Sequence, residues 1–275
     1  MARRVLTFGA LGILCAAIGS AAALGDGGPV YVLQGQDGVA RGNVRYVAFA
    51  SGSGTVLEVI QRRGGRVLNY AFLPGNYGIP MVAYDGTTDG LSRDGRTLIL
   101  GDVSGGPSLR KTSSFAVVDV RRFGLRQTIQ LRGDFAFDAL SPNGRMVYLI
   151  QHVSIPESRY RVRVYDRFAG LLLPKTVTDR RRWQSVMQGV PVARTTTRDG
   201  RWAYTVYGAN DHPFVHALDT VKGQAVCIDL PRRNLPSNHY ALRARIDRGG
   251  RLVVHTIKGR VTAVIDRRSF RVVGA

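Results

Sequence analysis

One ten-residue pattern occurs four times in the chain and constrains the fold more than any other feature. Each copy places a polar turn, which contains a glycine followed by an arginine, between two apolar stretches. The turn glycines are Gly95, Gly144, Gly200 and Gly250, so the copies lie 49, 56 and 50 residues apart. Glycine supplies the positive φ that a tight hairpin turn needs, so each copy predicts a β-hairpin. A period of about 50 residues with strand content indicates an array of β-sheet blades rather than a helical solenoid.

A second marker repeats with a similar period. Aspartate ends an apolar stretch at Asp119, Asp166, Asp219 and Asp266, with spacings of 47, 53 and 47 residues. Each of these aspartates precedes a short turn that contains a basic residue. Aspartate in this position accepts hydrogen bonds from the backbone of its own turn, so we predict a structural role for all four. Two independent markers with one period indicate a true repeat.

Each repeat divides into four predicted strands. The chain therefore predicts an all-β fold, a β-propeller of about five four-stranded blades, with six blades as the alternative. The innermost strands are predicted at residues 29–33, 79–84, 135–140, 190–195 and 240–246, and the outermost strand of the third blade at 171–177. The first blade is degenerate. No half-blade is left over to close the ring between the two ends of the chain, which is one way to protect edge strands.

One copy carries a resemblance to a known repeat family. Leu140-Ser-Pro-Asn-Gly-Arg145, followed by the strand Val162-Arg-Val-Tyr-Asp166, resembles the repeats of exported bacterial propellers of the YVTN and TolB (WD-like) types. The resemblance covers about residues 80–273. It implies a propeller fold but leaves the activity open, because such proteins include binding scaffolds and lactonase-like enzymes.

The N-terminus has the composition of an export signal. Arg3 and Arg4 precede an apolar stretch at 5–18, and small residues at 20–23 offer a cleavage site. We therefore expect a signal peptide at 1–24, one propeller domain at 25–275, and a mature protein that is extracellular, periplasmic or associated with the cell envelope. An uncleaved anchor is the alternative. No other segment is apolar enough to span a membrane. Cleavage leaves Cys227 as the single cysteine, which we predict to be buried in an outer strand.

The net charge of +20 favours anionic partners. The alternative interpretation is a solvated surface of biased composition, because only four of the 39 basic residues are lysine and the arginines are scattered through turns. We expect a monomer that contacts a protein or an anionic envelope polymer. Export argues against nucleic acid as the partner.

The position six residues before each turn glycine lies on an inner strand, so these residues are expected to face the central channel. They are Asp89, Asp138, Arg194 and Ala244. Asp89, Asp138 and Arg194 form a candidate ligand site or, alternatively, a satisfied polar lining. A metal site is predicted at Asp85, Asp89 and Asp138, whose oxygen ligands suit calcium. Apart from that alternative, no cofactor is expected.

The most concentrated basic patch is Arg180-Arg181-Arg182, with Trp183 attached. Arginine binds phosphate and carboxylate groups in bidentate fashion, so the patch is a candidate anion clamp, with a solvated loop as the alternative. No Ser-His-Asp order or Gly-x-Ser-x-Gly turn is present. The sequence therefore favours a non-catalytic binding or scaffold protein. The alternative is a lactonase-like or lyase-like enzyme with a metal in the channel.

Overall fold

The computed structural model describes residues 38–52, 54–104, 108–181, 185–209 and 212–275. These residues form five antiparallel sheets, each built from strands that are consecutive in the chain, as the repeats predict. The predicted signal peptide and the predicted strand at 29–33 lie outside the described residues. Within the described part of the chain, no helix has the length and apolarity needed to cross a membrane.

The first two blades each contain four strands. Their bounds are β1 Val39–Arg41, β2 Val44–Ser51, β3 Gly54–Gln61 and β4 Val67–Pro74, then β5 Tyr77–Gly78, β6 Thr97–Asp102, β7 Thr112–Asp119 and β8 Gly124–Arg132. The third blade contains β9 Phe135–Leu140, β10 Met146–Ser154, β11 Arg159–Asp166 and β12 Leu171–Leu172, with the short strand β13 Met187–Gln188 also paired to β11.

The last two blades are regular. They comprise β14 Val190–Thr196, β15 Trp202–Gly208, β16 Phe214–Asp219 and β17 Gln224–Asp229, then β18 Leu242–Ile246, β19 Leu252–Thr256, β20 Val261–Asp266 and β21 Arg271–Gly274. Two 3-10 turns, Arg232–Asn234 and His239–Ala241, lie on the link between these blades.

Neighbouring blades pack face to face through apolar clusters. Four clusters join the first blade to the second, the second to the third, the third to the fourth and the fourth to the fifth. Fully buried members include Leu57, Ile99, Tyr148 and Val254. Among the described residues, no such cluster joins the fifth blade to the first. The molecule is thus a five-bladed β-propeller with four packed interfaces in its described part.

The repeated turns owe their shape to a shared hydrogen-bond network. In the third blade, the Ser141 hydroxyl donates to Asn143 Oδ1 and accepts the backbone N–H of Met146, while Asn143 Oδ1 also accepts the N–H of Arg145. The turns at Ser92 and Thr197 repeat these contacts. The four turn glycines have φ between +70° and +77°, as the hairpin interpretation requires.

The four repeated aspartates cap their turns, which confirms the structural role predicted for them. The Oδ1 atoms of Asp119, Asp166, Asp219 and Asp266 each accept the backbone N–H groups two and three residues further on. Asp166 also binds Arg145 at 2.7 Å, and Asp219 binds Arg201 at 2.9 Å. These two ion pairs connect the start of the second strand to the end of the third strand within one blade.

Alternation of strand direction divides the molecule into two ends. The repeated glycine turns and the aspartate-capped turns lie at one end, which we call the turn face. The links between blades and the loops between second and third strands lie at the other end, which we call the connection face.

Three predicted strands differ from the structure. Residues 79–84 do not form the inner strand of the second blade, because Pro80 has no N–H for a ladder and the Val82 N–H closes a turn onto the Thr87 carbonyl at 2.8 Å. The strand predicted at 171–177 ends at Leu172, close to Pro174. In the strand predicted at 240–246, the first two residues belong to a 3-10 turn instead.

Candidate functional site

The central channel brings together the three charged residues that the repeat register predicts there. Arg194 Nη1 donates to Asp138 Oδ1 at 2.6 Å, and Arg194 Nη2 donates to the Asp138 carbonyl at 2.7 Å. Asp89 Oδ2 lies 4.0 Å from Arg194 Nη2. Asp138 and Arg194 are each only 4% exposed. The fourth register position is Ala244, so the fifth blade contributes no charge to this set.

A segment of the second blade reaches across the centre of the propeller. In this crossing loop, residues 82–87, the backbone N–H of Tyr84 donates to the Pro191 carbonyl at 2.9 Å. Asp85 Oδ2 accepts the backbone N–H of Arg194 at 3.1 Å, and its Oδ1 accepts the N–H of Thr87 at 3.0 Å. The loop therefore ties the second blade to the inner strand of the fourth.

The three aspartates predicted to bind metal all lie around Arg194. Asp138 binds its guanidinium, Asp89 lies at the outer edge of ion-pair distance and Asp85 binds its backbone. Among the described residues, no group of three or more His, Cys, Asp or Glu side chains is arranged to hold a metal ion. Metal binding by these aspartates stays a prediction.

Burial and the Arg194 charge set the ionisation of the channel. Burial raises the pKa of Asp89, and the nearby Asp138 carboxylate raises it further, while Arg194 and the Gly90 N–H act in the opposite direction. Burial alone would lower the pKa of Arg194, but the Asp138 and Asp89 carboxylates outweigh it and raise the pKa. The centre is therefore a charged network held by one guanidinium, which suits both a polar lining and a ligand site.

The predicted basic patch at 180–183 is divided by the fold. Arg180 stacks on the Phe270 ring, with its guanidinium carbon 5.4 Å from the ring centroid. Arg181 donates to the Cys227 carbonyl in strand β17 and lies 3.8 Å from Asp179. Its guanidinium therefore contacts the outer strand of the fourth blade and a carboxylate of its own chain segment. Arg182 and Trp183 lie outside the described residues. Cys227 is 9% exposed in β17, which confirms its predicted burial.

The structure gathers arginines that are scattered in the sequence. The turns at the turn face carry Arg93, Arg96, Arg121, Arg122, Arg145, Arg198, Arg201, Lys222, Arg248, Arg251, Arg267 and Arg268. Most turn aspartates accept hydrogen bonds from backbone N–H groups or from one of these arginines. The sequence signal was present in the arginine that ends each repeated turn, but the scattered arginines were not recognised as one surface.

A groove on this face lies between the fourth and fifth blades. Its inner part has a volume of about 710 Å³ and is lined by Thr195, Thr196, Arg198, Arg245 and Arg267 together with neighbouring residues. Its outer part, of about 250 Å³, shares Arg267 and adds Arg180, Lys222 and Arg268. We call the two parts the basic groove.

Seven basic residues line the basic groove together with Asp199 and Asp219. Arg201 is paired with Asp219 at 2.9 Å, whereas the other six have no close carboxylate in the described part of the chain. Among the described residues, no carboxylate lies within 4.0 Å of the charged groups of Arg180, Arg198, Lys222, Arg245, Arg267 or Arg268. Arg267 is held in place, because it donates to the Tyr204 hydroxyl at 3.2 Å and to the Gly250 carbonyl at 3.0 Å. Unpaired guanidinium groups beside threonine hydroxyls are suited to bind carboxylate or phosphate oxygens.

Comparison with known proteins gives the fold and no family. No protein-family model matches the sequence, and no curated protein matches it. Among solved structures, the chain is similar to a protein described as a hypothetical selenium-binding protein from Sulfolobus tokodaii, with 12% identity and a TM-score of 0.50. That match covers 84% of this chain and 62% of the other.

Two further similarities are weaker. The WD40 domain of coronin from Toxoplasma gondii has 10% identity and a TM-score of 0.48, over 89% of this chain and 60% of that one. A putative TolB from Agrobacterium tumefaciens has 11% identity and a TM-score of 0.41, over 80% and 77% of the two chains. The chain thus spans about three fifths of the length of the Sulfolobus tokodaii protein and of the coronin domain. Likeness at these identities concerns the fold alone.

Proposed function

We propose that this protein is an exported, non-catalytic binding scaffold whose turn face docks an anionic polymer of the cell envelope. The basic groove carries the proposal: six bases without a close carboxylate line one surface groove, with threonine hydroxyls beside them. The net charge of +20 adds a long-range attraction for polyanions. The composition of residues 1–24 supports export.

The proposal is tested by direct binding to defined polyanions. The purified chain is titrated with poly-L-glutamate, polyglycerol phosphate and uncharged dextran at fixed ionic strength. We expect binding to one or both polyanions and none to dextran. The test variant is Arg198→Gln/Arg245→Gln, because both side chains are exposed and line the groove. Loss of two charge-assisted contacts is expected to weaken binding by at least tenfold.

A matched control keeps the net charge equal. Arg132→Gln/Arg260→Gln removes two exposed arginines at the connection face, where strand β8 ends and strand β20 is about to begin. We expect this variant to bind polyanions almost as well as the parent. Equal losses in the two variants would show that binding reports overall charge and would reject the groove.

A protein partner is a second candidate, favoured by the outer strand of the first blade. Strand β4 exposes Val67, Leu68, Tyr70 and Phe72, by 45% to 72%. The corresponding strand of the second blade, β8, exposes Arg126, Thr128, Gln130 and Arg132 instead. An exposed apolar edge strand can pair with a strand of another protein, and arginines at 62, 63 and 66 favour an acidic one. The like charge of two +20 chains opposes pairing with a second copy.

The β4 candidate is tested by site-specific crosslinking. A photoreactive residue is placed at Tyr70 and, as the control, at Thr128 on β8. We expect position 70 to crosslink one other protein, and Phe72→Ser to abolish that product. Equal products from both positions, or crosslinks only between copies of this chain, would reject strand β4 as a binding surface for another protein.

A further inference from the structure

A small cavity lies at the connection face, between the inner parts of the third and fourth blades. Its volume is about 40 Å³. The apolar part of its wall includes Met81, Val82, Phe137, Ile150 and Val190. The polar part includes Asp138 and Tyr160. A cavity of this size has space for a few water molecules or for the end of a larger ligand.

A buried carboxylate oxygen in this wall has no hydrogen-bond partner among the described residues. Within the described part of the chain, Asp138 Oδ2 forms no hydrogen bond, although Asp138 is only 4% exposed. The Tyr160 hydroxyl is also buried and interacts with the Tyr207 side chain. An unpaired buried polar group costs free energy, so native structures nearly always provide a partner. A carboxylate oxygen can only accept. The missing partner must therefore donate hydrogen bonds.

The charge around the cavity favours a cation. The Asp138 and Asp89 carboxylates lie beside the Arg194 guanidinium, and Asp85 binds the Arg194 backbone. Of these charged residues, only Asp138 lines the cavity. The ring of Tyr160 stacks on the ring of Tyr207 at 5.0 Å, and both rings line the cavity. Aromatic faces and a carboxylate together attract ammonium groups.

A wider cleft continues from the cavity to the surface. It has a volume of about 380 Å³ and shares Ser158, Gly189 and Val190 with the cavity wall. Glu157 and Asn238 are among its polar residues. An elongated ligand can therefore place one end in the cavity and the remainder in the cleft.

We propose that this site binds the primary ammonium end of an aliphatic chain, with the alkyl part against the apolar wall and the remainder in the cleft. The ammonium donates to Asp138 Oδ2 and Tyr160. A free alkyl amine and a lysine side chain of a bound peptide share this chemistry. The site lies on the opposite face from the basic groove, so amine binding and polyanion binding can be tested independently.

Calorimetric titration of the purified chain tests the proposal with four probes. These are 1,5-diaminopentane, N-acetyl-lysine methylamide, 1-pentanol and pentyltrimethylammonium. We expect saturable binding of at least one primary amine, at least tenfold weaker binding of the alcohol, and no binding of the trimethylammonium compound, which is too large for the cavity. Preference for the diamine identifies a free amine as the source, and preference for the lysine derivative identifies a side chain.

Two conservative variants locate the binding. Tyr160→Phe removes the hydroxyl and keeps the ring, and it is expected to weaken amine binding by about tenfold. Tyr165→Phe removes a hydroxyl that is bonded to Gln127 outside the cavity, and it is expected to leave binding unchanged. No saturable binding of either amine, equal affinity for pentanol, or no effect of Tyr160→Phe would overturn the proposal and leave a cavity that holds water.

Discussion

At the scale of single residues, Arg194 is the residue on which the centre of the propeller depends. Its guanidinium binds the Asp138 carboxylate and carbonyl, and its backbone binds Asp85. Because the pair is buried, removal of one charge leaves the other desolvated and uncompensated. The resulting loss of stability is larger than the loss that follows from breaking an exposed ion pair.

We therefore predict that Arg194→Met lowers the free energy of unfolding by about 3–5 kcal/mol. The double variant Arg194→Met/Asp138→Leu should lose clearly less, because the buried Asp138 carboxylate is removed together with its partner. Arg145→Gln, which breaks an ion pair with a 46% exposed arginine, is the control, with an expected loss much smaller than that of Arg194→Met. Urea unfolding measures all three. A double variant less stable than Arg194→Met would contradict this account.

His216 gives the fold a dependence on pH. Burial, assisted by the Arg194 charge, lowers the pKa of His216 from 6.5 to about 4 against the opposing effects of Asp138 and Asp179. The folded chain keeps the imidazole neutral, whereas the unfolded chain takes up a proton near pH 6.5. The resulting stability is complete above about pH 6.5 and is lost as pH falls towards 4.

We predict that the free energy of unfolding falls by up to about 3 kcal/mol between pH 6.5 and 4. His216→Phe should lose this dependence above about pH 5, where carboxylates with unfolded pKa values near 4 contribute little. His152 and Arg110 lower the pKa of Asp134 against the effect of burial, and Arg145 lowers that of Asp166, each to about 2. Both carboxylates therefore reduce stability only below about pH 5, and they do so equally in the parent and the variant. Urea unfolding at several pH values measures the slope, and an equal slope in the variant would contradict the assignment.

At the scale of elements, the glycine turns are equivalent in conformation but differ in their surroundings. Gly144 and Gly250 have φ of +72° and +77°. A Cβ at Gly144 would lie 3.0 Å from Thr97 and 3.3 Å from Ser92, both in the second blade, whereas the nearest atom to one at Gly250 is 3.9 Å away. Gly144 therefore lies at an inter-blade contact.

We predict that Gly144→Ala destabilises the protein more than Gly250→Ala. Both substitutions carry a strain of about 1 kcal/mol from positive φ. Only the first also pushes the second and third blades apart. Thermal unfolding of the two variants makes the comparison. Equal losses would mean that the turn at Gly144 does not restrain the blades.

The sequence predicted the elements whose signals are local. Strands β16 and β20 end at Asp219 and Asp266 as the repeat predicts, because alternation and the capping aspartate act within a few residues. The channel residues Asp138 and Arg194 were found for the same reason, since a fixed offset from a turn glycine gives a fixed register.

Long-range contacts escaped prediction. The crossing loop pairs Asp85 with Arg194, 109 residues away, and no local pattern encodes that contact. Pro80 was the one local signal against a strand at 79–84. The cavity at Asp138 also depends on residues from three blades that meet only in the folded chain.

At the scale of the whole molecule, the repeat sorts charge by face. Every repeated turn ends in arginine, and antiparallel strands place all of these turns at one end. Most turn carboxylates accept hydrogen bonds from backbone N–H groups or from one arginine, so the basic groove retains a net positive charge. The blades thus form the rigid support, and the turns form the candidate binding surface.

Salt dependence of polyanion binding tests the central claim most directly. Association constants for poly-L-glutamate are measured between about 50 and 300 mM salt for the parent, Arg198→Gln/Arg245→Gln and Arg132→Gln/Arg260→Gln. Each contact releases counterions, so the logarithm of the constant falls linearly with the logarithm of salt concentration. We predict that the groove variant reduces this slope by about 1.5 units and that the connection-face variant leaves it unchanged. The same slope in all three proteins would contradict the account.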